Sequence, residues 1–392
     1  MGFISSRIWR NDDEEKMSDL LKPPQPKKIT KVHTAHGDER IDDYYWLRDD
    51  TRKDPEVISY LEAENQYLED WFASKNDCRQ DIYDELVSFI PPHEVSMKIK
   101  YGDYLYFSEI SADQQYKTYY RELDGNKELV LDVNELAKDL DYFNVASINP
   151  SSDNLLVAYA EDLSGRREYN IKVKDLTSGK IIDSAIQRSS GSVVWDKQNT
   201  SIYYAQKDPV TLIENKVFKH KLGTDPSEDV LIYEEQDSEF HLNIYESRTK
   251  KYLNIYISKT EASETWMLDL EDETSKPFCI LTRSDKHLYS VEDTPECFYA
   301  ISDANDKKNF ELMKFNHEDI NNYVNWETVI EHNKALLIED FEAFPDYIYL
   351  EVREDGLPKI LKMHRETLDK HYIEFSEPAF SCYLATNNDY LA

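Results

Sequence analysis

The sequence predicts an all-β fold, a β-propeller of the seven-bladed type whose last blade is incomplete, preceded by a short α-helical N-terminal segment. Three observations predict it. First, Ser192–Gln206 (SVVWDKQNTSIYYAQ) sets β-branched and aromatic residues on both sides of the polar turn Asp196-Lys197-Gln198-Asn199, the pattern of a β-hairpin. Second, the pattern recurs at Ile148–Tyr159, Tyr245–Ile257, Val291–Ser302, Asp340–Val352 and Tyr383–Ala392. With Leu105, Val157, Tyr203, Leu253, Phe298, Ile348 and Tyr390 as equivalent anchors, the spacings are 52, 46, 50, 45, 50 and 42 residues. A period of about 40–50 residues with two hairpins per period marks a propeller blade. Third, the second halves repeat as well. Tyr119–Gly125 precedes Leu129–Leu131, Ile171–Leu176 precedes Ile181-Ile182, and Val217–Leu222 precedes Val230–Tyr233. Trp266–Leu270 precedes Phe278–Leu281, Leu312–Phe315 precedes Trp326–Ile330, and Ile360–Met363 precedes Tyr372–Phe375. Both halves together give six full blades and a seventh that begins near Phe380 and holds one hairpin. No Trp-Asp pair closes the blades in the WD40 manner, because Trp195-Asp196 lies in a first hairpin.

In chain order, residues 1–21 read as a disordered tail or an over-extended start, with Met17 as an alternative first residue. Met1–Ile8 is mildly apolar, but Asn11-Asp12-Asp13-Glu14-Glu15 follows it, and the basic start and apolar run of a signal peptide are absent. Gly2 with Ser6 fits the short myristoylation pattern, which chance also produces. Residues 22–92 form the helical segment. Pro23, Pro24 and Pro26 set an extended lead-in. Tyr44-Tyr45-Trp46, flanked by Arg40 and Arg48, suits either a strip lying across another surface or a local turn covering its own domain. Asp54 as N-cap and Pro55 at the first helical position start a helix, with Val57, Leu61, Leu68 and Phe72 on one face and Ile58, Tyr60 and Trp71 beside them. A second helix is expected from about Gln80 to Ile90, with Ile82, Leu86, Phe89 and Ile90 inward and Pro91-Pro92 as its stop. Residues 93–392 are the propeller.

At 392 residues the chain is long enough for a large core, and at 40% hydrophobic it reads as a soluble globular protein. The net charge of −32 repels phosphates and anionic lipid, which argues against nucleic acid and membrane partners and is compatible with cationic peptides. Cys78, Cys279, Cys297 and Cys382 show no CxxC spacing, so a reducing, cytoplasmic setting is expected.

The chemistry-bearing motifs are sparse. The nine glycines never form the G-x-S-x-G turn that exposes a serine nucleophile, and Ser189-Ser190-Gly191-Ser192 reads as a linker into a strand. Phosphate-cradling loops are missing for the same reason. His33 and His36 have no third ligand nearby in sequence. Adjacent carboxylates such as Glu234-Glu235 read as solvated surface. No catalytic, cofactor-binding or metal-ligating residue is assigned. Arg166-Arg167, in a loop after Ser164-Gly165, either bridge to carboxylates of another domain or pair within the blade. Pro209, straight after a strand, implies a fixed loop in Lys207–Leu212.

His36-Gly37-Asp38, the run Arg40–Asp50 (RIDDYYWLRDD), Asp54–Val57 and Tyr60–Asn65 resemble the N-terminal signature of oligopeptidase B, in the prolyl oligopeptidase family of serine peptidases. Ala160-Glu161-Asp162, Arg166-Arg167, Pro209–Leu212 and Leu231–Glu235 continue the likeness, which runs from about Pro23 onward. The resemblance implies a seven-bladed propeller capping an α/β-hydrolase domain, with the N-terminal segment wrapped on that domain and the propeller limiting access to peptides cleaved after Arg or Lys. It places the catalytic serine, aspartate and histidine in a C-terminal domain not contained in these residues, so none is carried over. Arg40, Tyr45, Trp46, Arg48, Arg166 and Arg167 are the candidate interdomain contacts. Two functions are expected from this: the gating propeller of an oligopeptidase B-like enzyme, its hydrolase domain supplied separately, or a non-catalytic module binding basic peptides or a protein partner.

Overall fold

The computed structural model describes residues 21–73, 75–377 and 379–384. The chain divides into two compact units, Met1–Pro92 and His93–Ala392.

In the first unit, Lys31–Ala35 and Asp38–Asp42 pair as an antiparallel hairpin. Its turn residues, His36 and Gly37, both have positive φ (54° and 81°), the two-residue turn that matches the twist of the flanking strands. Helix α1 spans Pro55–Ala73 and α2 spans Asn76–Ser88. The Asp54 carboxylate accepts the Glu56 N–H at 2.9 Å, as an N-cap does. Asp49 organises the loop before it, accepting the N–H groups of Lys53 (2.6 Å), Asp54 (2.7 Å) and Thr51 (3.0 Å). These donors, with the Thr51 hydroxyl, hold the Asp49 carboxyl down at about 2. Helix α2 begins earlier than expected, at Asn76, with Asp77 in its first turn where the helix dipole favours negative charge. It ends before Ile90, because a residue preceding proline avoids the α conformation. Ile82, Leu86, Phe89 and Ile90, expected inward, are all more than half exposed. Periodicity aligned them on a face but could not say what covers it. In α1 only Val57 is buried, and Ile58, Leu61, Leu68 and Trp71 are exposed.

The second unit contains six antiparallel sheets in sequence order. In the first blade, His93–Val95 and Ile99–Tyr101 both pair with Tyr104–Ser111, followed by Thr118–Leu123 and Asn126–Asp132. The other five are four-stranded meanders whose first strands are Asn144–Pro150, Ser189–Trp195, His241–Glu246, Tyr289–Asp293 and Leu336–Ala343. Each of these first hairpins closes the same way: the N–H just after the first strand donates to a carbonyl at or immediately before the start of the second, from Ser151 to Leu156, Asp196 to Ser201, Ser247 to Tyr252, Thr294 to Cys297 and Phe344 to Tyr347. The repeat read from sequence is therefore a repeat of backbone geometry. Of the seven anchors, Leu105, Val157, Tyr203, Leu253, Phe298 and Ile348 each sit in the second strand of their first hairpin. Tyr390 lies outside the described residues, and 379–384 carry no strand.

Two strand boundaries differ from expectation. Ser189–Ser192 is part of a strand and not a linker, with an irregular register between Ser189 and Val193. Gly191 makes this possible: it has φ +95°, and a Cβ there would meet Ala146 and the Tyr169 ring at 3.0 Å. The last strand of the sixth blade is Lys370–Tyr372, with Ile373–Phe375 beyond it. The Lys207–Leu212 loop is held by Asp208, which accepts the Val210 and Thr211 N–H groups at 2.9 and 2.8 Å.

The core lies between successive blades and not within any one of them. Val130, Leu131 and Phe143 pack with Val157 and Tyr159 across the first and second blades. Ala158 and Ile171 meet Trp195 and Ile202 across the second and third. Three further clusters join the third blade through to the sixth. Strands covered on both faces lose the polar half of their alternation. Leu253-Asn254-Ile255 is buried throughout for this reason. Ile255→Ala should therefore lower unfolding stability by about 2–5 kcal/mol in urea titration, while Val210→Ala, at an 87% exposed loop position, should change it by less than about 0.5 kcal/mol.

Candidate functional site: the central channel

The first strands of the blades converge on a cavity of about 410 Å³. Tyr101 contributes from the first blade, Ser147–Pro150 from the second, Ser192–Trp195 from the third, Ile244–Arg248 and Asn254 from the fourth, Val291 and Glu292 from the fifth, and Glu342 from the sixth. Three carboxylates thus reach one space from three consecutive blades, each near the end of a first strand. None of the three stood out in the sequence, although Glu292 and Glu342 occupy equivalent places in their hairpins, opposite Tyr299 and Tyr349, with Glu246 one residue further along its own strand. The repeat was the available signal, but only the propeller turns equivalent positions into neighbours.

Arg248 supplies the counter-charge. Its Nη2 lies 3.1 Å from Glu342 and 3.4 Å from Glu292, and its guanidinium sits 5.1 Å from the Phe344 ring centroid. Glu292 also accepts the Ala343 N–H at 2.7 Å, which ties the fifth blade to the sixth. Burial pushes the Glu292 carboxyl up to about 7; Arg248 and the Ala343 N–H pull against it, while Glu342 and Asp340 add to the rise. Glu246 is likewise pushed up to about 7 by burial, opposed by Lys250 and Lys197 and reinforced by Asp293. Burial also raises Asp340 and Glu342. The neighbouring Asp293 is occupied: it accepts the Ser247 hydroxyl at 3.0 Å and the Thr249 hydroxyl, stapling the fourth blade to the fifth.

The candidate contact residues sit elsewhere. In the first unit, Trp46 donates its indole N–H to the Lys27 carbonyl at 2.8 Å, Lys31 Nζ lies 3.3 Å from the Tyr45 ring centroid, and Arg48 pairs with Asp50 at 3.1 Å. Arg40 stands exposed on the hairpin opposite His33. In the second unit, Arg166 and Arg167 are exposed in the loop after Leu156–Asp162, and Arg166 reaches Glu168 at 3.6 Å. Asp162 fixes that loop by accepting the Arg167 N–H at 2.7 Å and the Ser164 N–H at 2.8 Å. Arg167 has φ 58°, and its carbonyl accepts Lys207 Nζ at 2.7 Å. Of the Glu234-Glu235 pair expected at the surface, Glu235 is 7% exposed and lies 2.6 Å from Arg283, because the fourth blade packs over it.

Among the described residues, no group of three or more His, Cys, Asp or Glu is placed to hold a metal, and no helix is long and apolar enough to cross a membrane. One serine touches a histidine in a way that resembles a catalytic pair: Ser302 Oγ is 3.0 Å from His287 Nε2. Ser302 has no exposed surface, however, and Tyr323 and the Ala304 N–H complete its hydrogen bonds. No substrate reaches it, so the pair is structural.

Comparison with known proteins agrees with this geometry. The family model described as the prolyl oligopeptidase N-terminal β-propeller domain matches residues 23–391. Protease 2 of Moraxella lacunata is 31% identical over 380 residues, 94% of this chain and 54% of that protein. Dipeptidyl aminopeptidase BI of Pseudoxanthomonas mexicana is 29% identical over 384 residues, 93% of this chain and 53% of that protein. The structure of oligopeptidase B from Leishmania major superposes with a TM-score of 0.85 at 26% identity, covering 91% of this chain and 54% of the other. The chain spans about half the length of the curated relatives it matches.

The raised channel carboxyls fix the sign of a pH effect. The folded chain binds the Glu246 proton more tightly than the unfolded chain, whose carboxyl has its ordinary value of 4.5. Stability from this group therefore falls as pH rises from about 4.5 to about 7, and the penalty is fully present above that. Glu246→Gln should stabilise the protein at pH 8 by about 1–3 kcal/mol and by much less at pH 5. Thermal denaturation of both proteins across that range checks it.

Proposed function

Because the chain belongs to the prolyl oligopeptidase N-terminal β-propeller family, we propose that it is the gating propeller of an oligopeptidase B-like serine peptidase. It limits access of peptides to a hydrolase domain that cleaves after Arg or Lys. The observation that carries this reading is the likeness to oligopeptidase B along 91% of the chain and about half of that protein. The apolar faces of α1 and α2, with Leu61, Leu68, Leu86 and Phe89 exposed, are the surface such a domain would cover. Arg40 and Arg167, whose guanidinium groups have no ion-pair partner among the described residues, are its first candidates for bridging carboxylates on that domain. Tyr45, Trp46, Arg48 and Arg166 would extend the contact beyond their local partners. The cytoplasm is the compartment proposed, since all four cysteines are free.

The test is reconstitution. The hydrolase domain of a relative is produced separately and assayed on a fluorogenic arginyl dipeptide and on an unfolded protein, with and without this chain. Gating predicts that the two parts associate, that dipeptide turnover continues and that cleavage of the unfolded protein falls at least about tenfold. Failure to associate, or unchanged cleavage of both substrates, would favour a propeller that binds its partners without a hydrolase.

A further inference from the structure

We propose that His220 is a proton-dependent lock on the seam between the second and third blades: its imidazolium bridges Asp229 and Asp183, and the seam loosens when the ring gives up a proton. The inference concerns the propeller alone and does not depend on the peptidase reading. His220 lies on the third strand of the third blade, Glu214–Lys221, and has no exposed surface. Its Nδ1 is 2.7 Å from Asp229 Oδ1 and its Nε2 is 3.2 Å from Asp183 Oδ2. Asp229 leads into the outer strand of the same blade, Val230–Glu234, whereas Asp183 ends the outer strand of the second blade, Ile181–Asp183. The ring therefore joins the outer rims of two blades whose inner strands line the channel.

The protonation of the ring follows from the donors around it. A neutral imidazole has one N–H, so one of its nitrogens would point a lone pair at a carboxylate. That arrangement is tolerable only if the carboxylate carries the proton instead, and other donors hold both carboxylates ionised. Asp183 accepts the Ala185 N–H at 3.0 Å on one oxygen and the Gly223 N–H at 2.6 Å on the oxygen that faces the ring. Burial opposes its charge, but these donors and His220 outweigh it and hold the carboxyl below its usual range. Asp229 accepts the Tyr204 hydroxyl at 2.8 Å on its other oxygen. That hydroxyl keeps its proton, because burial and Asp229 both push it well up. Both ring nitrogens therefore donate.

Asp183, Asp229 and Tyr204 are the titratable groups that face the ring. Lys219 and Lys221, its neighbours along the strand, point to the other face of the sheet, where Lys219 lies 3.9 Å from Asp196. Among the described residues neither Asp183 nor Asp229 pairs with a lysine or arginine. Loss of one proton thus leaves two buried carboxylates with a single donor between them and turns a charge-assisted contact into a repulsion. The stabilisation is complete while the ring holds both protons and is lost as pH rises past the release of one. The inner end of the seam keeps the Trp195 bond to the Asn149 carbonyl, which carries no titratable group, so the loosening is confined to the outer rim.

The experiment uses the full 392-residue chain with isotopically labelled histidine. Proton–nitrogen correlation NMR reads the protons on each ring nitrogen from about pH 7 to about pH 10. Hydrogen exchange, corrected for base catalysis, reads the amides of Ile181–Asp183 and Val230–Glu234 over the same range. The His220 signal is identified by its loss in His220→Gln or its shift in Asp183→Asn. Both ring nitrogens should be protonated at about pH 7, and exchange at the two outer strands should rise at least about tenfold as one proton leaves. The fourth–fifth seam, stapled by Ser247 and Asp293, should not follow that step. Asp183→Asn, whose amide can donate to a bare ring nitrogen, should let the ring turn neutral at least about one pH unit lower and remove the exchange step. A ring that is neutral at about pH 7, a ring that keeps both protons to about pH 10, or seam exchange that ignores the release would each overturn the proposal. These three readings come from the unaltered chain, so they decide the matter even if a variant does not fold.

Discussion

Apolar packing between neighbouring sheets is the constraint on which the rest of this structure depends. From the second blade to the fifth, each sheet is covered on both faces by the next blade along, and no blade has a core of its own. Such sheets are not independently stable, because an isolated meander would leave both apolar faces in water. The packing fixes the radial position of each strand. First strands then meet at the centre, and the residues at their ends become neighbours although they are about fifty positions apart in the chain.

That arrangement places charge where the sequence alone would not put it. Glu246, Glu292 and Glu342 belong to three blades and share one cavity. A carboxylate in that position loses hydration, so its charge persists only with compensation, which Arg248 provides for two of the three. Polar staples such as Ser247 to Asp293 and Trp195 to the Asn149 carbonyl keep adjacent blades in register around the channel. The histidines show the opposite use of buried polarity. His220 has no exposed surface and is held between Asp229 at 2.7 Å and Asp183 at 3.2 Å, in a lock between the second and third blades.

Most of the propeller was legible because a hairpin is local. Alternating β-branched residues around Asp196–Asn199 or Ser151–Asn154 specify a turn and two strands without reference to the rest of the chain. The helices of the first unit were legible to the extent that capping is local: Asp54 and Pro55 marked the start of α1 correctly. What could not be read was anything that depends on a neighbour. The face holding Ile82 and Leu86 has the right spacing for burial but no cover among the described residues of its unit. Glu235 looked like surface charge until the fourth blade brought Arg283 to it. The channel glutamates were visible as residues but not as a site, since convergence is a property of the ring of blades.

The central claim is that the serine–histidine contact of the propeller, Ser302 with His287, is buried between strands and structural. Labelling with a fluorophosphonate probe tests it most directly, with the intact chain followed by mass spectrometry and turnover of a fluorogenic arginyl substrate measured in parallel. The account predicts no covalent adduct and no turnover by this chain alone, with Ser302 inaccessible beside His287. A stoichiometric adduct on any serine of the propeller, accompanied by hydrolysis, would contradict it.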